Sequence, residues 1–444
     1  MNSESKMIKF LFDELEKKGI EYCILRNVED ILEGTCHDVD FAIDWNRINE
    51  FKDLLNYKIT ELGWQVFVMK DNDQGELLSI HLATKSGKVL LMHLDAFKSF
   101  NWKGIPLVSN QKLIDGRRKY KNVWVCSEAV EIALKLFSKY LHGGEVRDKY
   151  RIELMNTIPQ VYEPVSSLIR GFLSEKTSNM ILKAAEAGEW DLLHKNVDVV
   201  RNEIKERYFG KNIIKRMAYC SKRYSYLIKK YFAKNAPIVA FEGCDGSGKS
   251  TIINLLPEKM DRIYNKEYIA YYHWRPNIVW KKGDDLKNGE KIEACIPHDK
   301  KPYNKIISFI KFAIFNLDYT IGYYLGVKKK IGQGKMVVFD RYYYDYFIDR
   351  YRYRLDISDG ILSSFLWMIP KPDITIVFVG TPQIIYERKK EIPLEEVAEQ
   401  IDRLKRYSTS FHNAKLVSVD GSPDDITEGV CREIISCMIE RYKL

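Results

Sequence analysis

Residues 238–251 read IVAFEGCDGSGKST, and this stretch decides the fold of the second half of the chain. Ile238–Phe241 is an apolar run that reads as a buried strand. Gly243-Cys244-Asp245-Gly246-Ser247-Gly248-Lys249-Ser250 then fits G-x-x-x-x-G-K-[ST], and a helix opens at Ser250 and runs to Leu256. The chemistry explains each position. Glycines let the backbone curl so that successive N–H groups point at a phosphate. Lys249 is a point charge for two phosphates, the Ser250 hydroxyl suits Mg²⁺, and the helix N-terminus adds its positive dipole end. The phosphate cradle is therefore expected at Gly243, Gly246, Ser247, Gly248, Lys249, Ser250 and Thr251.

Working outward, KMVVFDRYYYD (335–345) places Asp340 and Arg341 at the end of another apolar strand. An acid there holds a metal's water shell, and Arg341 can reach a phosphate. With Met336–Phe339 and Ile374–Val379 as strands and helices between them, residues 235–444 read as a parallel, three-layer α/β P-loop domain.

These residues carry a resemblance. Glu242–Thr251 followed by Asp340-Arg341-Tyr342 resembles the thymidylate kinase family, whose loop reads E-G-x-D-G-S-G-K-S-T and whose later motif reads D-R-[YH]. KPDITIVFVGTPQIIYERKK (371–390) and VDGSPDDITEGVCREI (419–434) resemble further segments of that family. The resemblance implies ATP and Mg²⁺ as cofactors, a homodimer, and a small-molecule nucleotide acceptor such as dTMP. It also implies roles for single residues. Asp245 would accept from the acceptor's sugar hydroxyl, Arg275 would meet the acceptor phosphate, and Arg388, backed by Lys389 and Lys390, would neutralise charge on the transferred phosphoryl group. Asp340 and Ser250 would hold the metal, while Lys249, Arg388, Asp340 and Asp245 form the catalytic set and Arg341 binds substrate.

The acceptor itself stays open at this level. A phosphate monoester is already anionic, whereas a sugar or glycan hydroxyl needs a general base. Asp245, Asp340 and Asp345 are all candidates for that base, so a kinase of polysaccharide synthesis is the alternative reading. The tyrosines 342–344 with Arg350, Arg352 and Arg354 read as an acceptor wall.

The first half reads differently. Met7–Lys18 has helical spacing, and Tyr22–Leu25, Val39–Ile43, Gln65–Met69, Glu76–Leu82 and Lys88–Leu94 read as strands, with antiparallel pairing expected. Asp38 and Asp40 alternate onto one face, and Asp95 ends another strand. Carboxylates on one face repel unless a cation sits between them, so all three are candidate metal ligands. This constellation, with ten residues between Asn27 and Asp38, resembles the polymerase β type of nucleotidyltransferase. In that pattern Arg26-Asn27 stands where the superfamily has Gly-Ser. His37 and His93 flank the acids and are read as supporting those acids or as structural, rather than as zinc ligands. Residues 1–145 are thus expected to form a mixed α/β nucleotidyltransferase-like domain, followed by a helical extension and basic linker over 146–234. A third reading has this domain modify a partner in a regulatory or defence role while the P-loop senses nucleotide.

Lys211–Lys234 carries eight Lys/Arg and no Asp/Glu, with basic pairs repeating every seven residues and Ile214, Met217, Tyr224, Ile228 and Tyr231 on another side. It reads first as a connecting helix with a solvated basic face, and as the alternative a helix that docks on an acidic membrane surface or nucleic acid. The chain's 444 residues allow two or three domains, and its net charge of +9 suits anionic partners. Eight scattered cysteines without a C-x-x-C pair suggest a reducing cytoplasm, and the N-terminal decapeptide lacks a signal-peptide core. Ile306–Val327 is apolar, yet Lys311, Asn316 and Asp318 interrupt it, so a buried helix or helix pair is expected there rather than a membrane span.

Overall fold

The computed structural model describes residues 3–35, 38–261, 263–264, 266–278 and 301–442, and it divides into two compact units, Met1–Leu227 and Ile228–Leu444. His37 and the segment ACIPH (294–298), part of a stretch with no counterpart in the kinase resemblance, lie outside the described residues.

In the first unit, the helix Ser3–Lys17 buries Met7, Ile8, Leu11, Phe12 and Leu15, the stripe that its i, i+4 spacing dictates. Burying each such side chain contributes roughly 1.5–3 kcal/mol. The strands are β1 (Tyr22–Ile24), β2 (Asp38–Ile43), β3 (Trp64–Asn72), β4 (Leu77–Thr84), β5 (Leu91–Phe97), β6 (Phe100–Trp102), β7 (Ile105–Val108), β8 (Arg118–Tyr120) and β9 (Val123–Val125). Seven of them form one sheet in the order β3-β4-β5-β2-β1-β9-β8, and β6 pairs with β7. The expected antiparallel pairing holds for β1/β2, β3/β4 and β4/β5, but β2/β5 and β1/β9 are parallel. The sheet is mixed because a long connection carries the chain from β2 round to β3 and back through β5.

Helices from Glu128 to Phe209 follow. The first, Glu128–Gly143, starts where the Ser127 hydroxyl accepts from the Val130 amide at 3.4 Å and stops at Gly144, whose φ of 82° suits glycine. These helices share one hydrophobic core with Cys23, Leu25 and the β6/β7 hairpin, while the sheet and the Ser3–Lys17 helix enclose a second core. The extension is packed onto the strands rather than strung behind them. The basic segment forms a single helix, Ile213–Phe232, with none of its residues buried.

The second unit holds β10 (Ile238–Glu242), β11 (Ile269–His273), β12 (Met336–Asp340), β13 (Ile374–Val379) and β14 (Ala414–Ser418). Their order is β11-β12-β10-β13-β14, and every pairing is parallel. Every residue of β10 and β12 is buried, as expected for strands covered by helices on both faces. The helix after the loop, Lys249–Lys259, packs against β12 and the last helix, Pro423–Tyr442, while Leu394–Ser408 covers β13 and β14. Ligands of such sheets bind at the carboxyl ends of the strands, where the order reverses. That point lies between β10 and β12.

The apolar stretch after residue 305 departs from expectation. Lys305–Gly322 is a helix capped by Asn304, but only one side of it is buried, and Ile306, Phe309, Ile310 and Leu317 are exposed. Its buried side includes Asn316 and Asp318, which is why the polar residues interrupt the pattern. No helix among the described residues is long and apolar enough to cross a membrane.

Candidate active site

The strand β10 ends at Glu242, and the loop that follows turns through two left-handed glycines. Gly246 has φ 82°, and a Cβ on it would lie 2.6 Å from the Ile385 carbonyl oxygen. Gly248 has φ 85° and leads straight into the helix. Both left-handed turns favour glycine, and at Gly246 a side chain would also collide with the Ile385 carbonyl, so the motif spacing follows from the backbone. Phe241 is in register with Asp340 on β12, which places the DR pair beside the loop.

Around this point lies a cavity of about 520 Å³. Its walls include five cations, Lys249, Arg341, Arg352, Arg388 and Lys389, against three carboxylates, Asp245, Asp340 and Glu391. Gly246, Gly248, Ser250 and Thr251 line it as well, with His273 from β11. Such an excess of positive charge suits polyphosphate. Lys249 is buried and donates to the carbonyl oxygens of Gly243 at 2.6 Å and Cys244 at 2.9 Å. Burial, with Arg341 beside it, pushes its ammonium down to about 8.

The three acids singled out as candidate bases fare differently. Asp245 pairs with Arg341 at 2.6 Å and with Arg352. Burial opposes its charge, but the two guanidiniums outweigh burial and hold it well below the usual carboxylate range. Asp345 is fully buried, accepting from Arg341 at 2.8 Å and from the Tyr353 hydroxyl at 2.5 Å. For Asp340, burial is outweighed by His273, Lys249 and Arg341, and the carboxyl settles at about 2. Glu242 is the contrast. Buried and facing Asp345, its carboxyl is pushed well above the usual range, and it accepts from the Tyr342 amide at 2.8 Å.

Asp340 also bears on the metal. Its Oδ2 accepts from the Tyr271 hydroxyl at 3.1 Å, whereas its buried Oδ1 has no hydrogen-bond partner. An orphaned carboxylate oxygen is costly unless a cation or its water completes it, and the exposed Ser250 hydroxyl lines the same cavity. Asp340 and Ser250 therefore fit Mg²⁺.

Arg388 ends the helix Pro382–Arg388 and donates to the Val419 carbonyl at 2.9 Å while lining the cavity. Arg275 is placed elsewhere. It is buried, its Nη1 lies 2.7 Å from the fully buried Asp318, and it is not among the residues that line the cavity. Asp318 also accepts from the amides of Asn277 and Ile278, so it orders the chain after β11. Arg352, from the short turn Arg350–Tyr353, was read only as part of an aromatic-basic wall, yet it reaches both the cavity and Asp245.

A five-stranded parallel sheet with the loop at its central strand, a lysine within the loop and an acid ending the next strand defines a P-loop nucleotide kinase fold. Residues 241–422 match the family model described as "Thymidylate kinase". A "Probable thymidylate kinase" of Pyrobaculum aerophilum is 27% identical over 169 residues, covering 38% of this chain and 77% of its own length. One of Archaeoglobus fulgidus is 27% identical over 212 residues, covering 46% of this chain and 98% of its own. The crystal structure of thymidylate kinase from Ehrlichia chaffeensis aligns at 18% identity over 44% of this chain and 97% of that one, with a TM-score of 0.29. The fold rests on the sheet order, not on that overlap. The C-terminal half carries a thymidylate kinase-like nucleotide kinase domain.

The first unit has its own cluster. Asp40 and Asp95 are register partners on β2 and β5, as are Asp38 and His93, so the three predicted acids do share one face. They do not form one set of ligands. Asp40 is buried and ion-paired with Arg26; burial, opposed by Arg26, lifts its carboxyl to about 6. His93 instead sits between the other two, with Nδ1 3.3 Å from Asp38 and Nε2 3.1 Å from Asp95. Burial opposes its charge, but Asp95 and Asp38 outweigh burial and raise the imidazole to about 10. Ligand atoms of Asp38, His93 and Asp95 lie within 4.8 Å of one another. The alternation of His93 and Asp95 along β5 was the signal in the sequence. The stretch that matches the family model, residues 241–422, lies outside this unit.

Proposed function

We propose that the C-terminal half transfers the γ-phosphoryl group of ATP to a nucleoside monophosphate of the dTMP kind. The observation that carries this is the state of the three carboxylates offered as candidate bases. Asp245 is paired with two arginines, Asp345 is consumed by Arg341 and Tyr353, and Asp340 is a strong acid. None of these three candidate bases is poised to take a proton at neutral pH. A phosphate acceptor needs no base, whereas a sugar hydroxyl does. Phosphoryl transfer then rests on positioning and charge neutralisation. The loop amides and Lys249 hold the donor's phosphates. Arg341 and Arg352 supply positive charge on the side of Asp245, where the acceptor phosphate enters, and Arg388 meets the charge that builds on the transferred group. Ser250 and Asp340 would hold Mg²⁺, which would supply positive charge against the negative charge of the donor's phosphates.

The test is labelled ATP with Mg²⁺ against a panel of nucleoside monophosphates, sugars and glycans, with Lys249→Ala as control. Labelled dTDP from the wild type alone supports the reading, and labelled sugar without labelled nucleotide overturns it.

For the first unit we propose a metal-dependent, nucleotidyltransferase-like role. Adjacent parallel strands that bring Asp38, His93 and Asp95 together support it, with Asp40 held in reserve by Arg26. Absence of Mn²⁺ or Mg²⁺ binding that responds to Asp38→Asn would remove that support.

A further inference from the structure

The helix Ile213–Phe232 is a feature that neither the kinase cavity nor the acid–histidine cluster uses. It is 20 residues long, roughly 30 Å, and none of its residues is buried. One side is fastened to the first unit. The Tyr219 hydroxyl donates to the Lys103 carbonyl at 3.0 Å, and the Tyr226 hydroxyl accepts from the Asp73 amide at 3.2 Å. The other side carries Ile213, Ile214, Met217, Tyr224, Leu227 and Ile228, all exposed, with Ile214 at 80%. Lys222 and Lys229 lie within about 80° of Ile214 round the helix, so cations flank this apolar stripe.

Three occupants could cover such a face, and its chemistry separates them. A second copy would bring together two helices from segments that each hold eight Lys/Arg and no Asp/Glu, an uncompensated repulsion. Nucleic acid would satisfy the cations but leave Ile213, Ile214, Met217 and Ile228 facing water, since bases stack on aromatic rings and the exposed rings of the helix are Tyr224 and Phe232. An anionic lipid bilayer satisfies both requirements. The stripe enters the acyl boundary while lysines and arginines reach headgroup phosphates and carboxylates.

We propose that the Ile213–Phe232 helix docks this protein on an anionic membrane surface, lying in the interface plane. The proposal stands independently of what the kinase cavity phosphorylates. It makes the protein peripheral, bound by one face of one helix and released by salt.

The experiment is co-sedimentation of the full-length chain with vesicles of phosphatidylcholine alone or with about 30% phosphatidylserine. The expected result is pelleting only with the anionic vesicles and release at about 0.5 M salt. Ile214→Asp with Met217→Asp should weaken binding about tenfold or more, as should Lys222→Glu with Lys229→Glu. All four side chains are on the helix exterior, so an unchanged thermal melt separates lost binding from lost folding. Three outcomes overturn the proposal. One is no pelleting with phosphatidylserine. Another is equal pelleting with both vesicle types that Ile214→Asp/Met217→Asp leaves intact. The third is a dimer in light scattering that the same double variant splits, which would give the face to a second copy.

Discussion

The kinase cavity and the acid–histidine cluster are both built from charged side chains on or beside strands, yet they are organised in opposite ways. In the cavity, cations outnumber acids, a carboxylate oxygen of Asp340 has no partner, and the loop amides come from one contiguous run of sequence. In the first unit, two acids close on one histidine and a third acid on an arginine. The first arrangement invites anions and a metal with little rearrangement. The second is internally neutralised, so a ligand has to compete with bonds already made. Unmet electrostatic demand distinguishes a site ready for its substrate from one that must be opened.

The sharpest test of that contrast is Lys249→Ala, which should lower phosphoryl transfer about 10³-fold or more. Retained activity would mean the cavity's charge is not what drives the reaction. Arg388→Ala should also cost about 10³-fold in kcat with a smaller change in KM, because its charge is needed when the phosphoryl group moves.

Arg275→Ala should act on stability instead. Removing one partner of a buried pair takes from Asp318 its opposite charge, at a cost of about 3–5 kcal/mol. Chemical denaturation would show this, and a variant of wild-type stability with a raised KM for the monophosphate would return Arg275 to the acceptor.

A smaller effect is expected with pH. The Lys249 ammonium titrates at about 8 in the free protein, below the ordinary lysine range, and bound polyphosphate retains its proton. ATP affinity should therefore be flat below pH 8 and fall up to about tenfold per unit above it. Calorimetry in buffers of different ionisation enthalpy should register proton uptake there. The smallest effect is expected in the first unit, where Asp38→Asn should weaken Mn²⁺ binding about tenfold and leave phosphoryl transfer unchanged.

The parts of the molecule that could be read before any coordinates were those whose function is local in sequence. The phosphate loop, its strand and helix, and the Asp340-Arg341 pair each depend on neighbours a few residues away, so spacing alone exposes them. Arg352 could not be read that way. Its importance comes from a one-turn element that folds back on Asp245, 107 positions distant. The strand β5 was expected at Lys88–Leu94 and runs Leu91–Phe97, since an apolar run in VLLMHLDAF has no internal mark of where pairing begins. The acids of the first unit were found by alternation, but which of them would be tied up by Arg26 is a matter of tertiary packing. Asp318 illustrates the same limit, because a buried acid within an apolar helix reveals nothing until Arg275 is seen beside it.

Lys249 rests on the carbonyls of Gly243 and Cys244, where it acts as a surrogate guest inside its own binding loop. The loop is therefore held in shape by an internal tether, and a phosphate that takes Lys249 exchanges with those carbonyls rather than adding to them. The enthalpy of that exchange is a difference between two sets of charged bonds, so tight ATP binding here can be calorimetrically quiet. Resistance of the loop to proteolysis without nucleotide should depend on the same tether, and lysine removal should loosen the resting protein as well as disarm it.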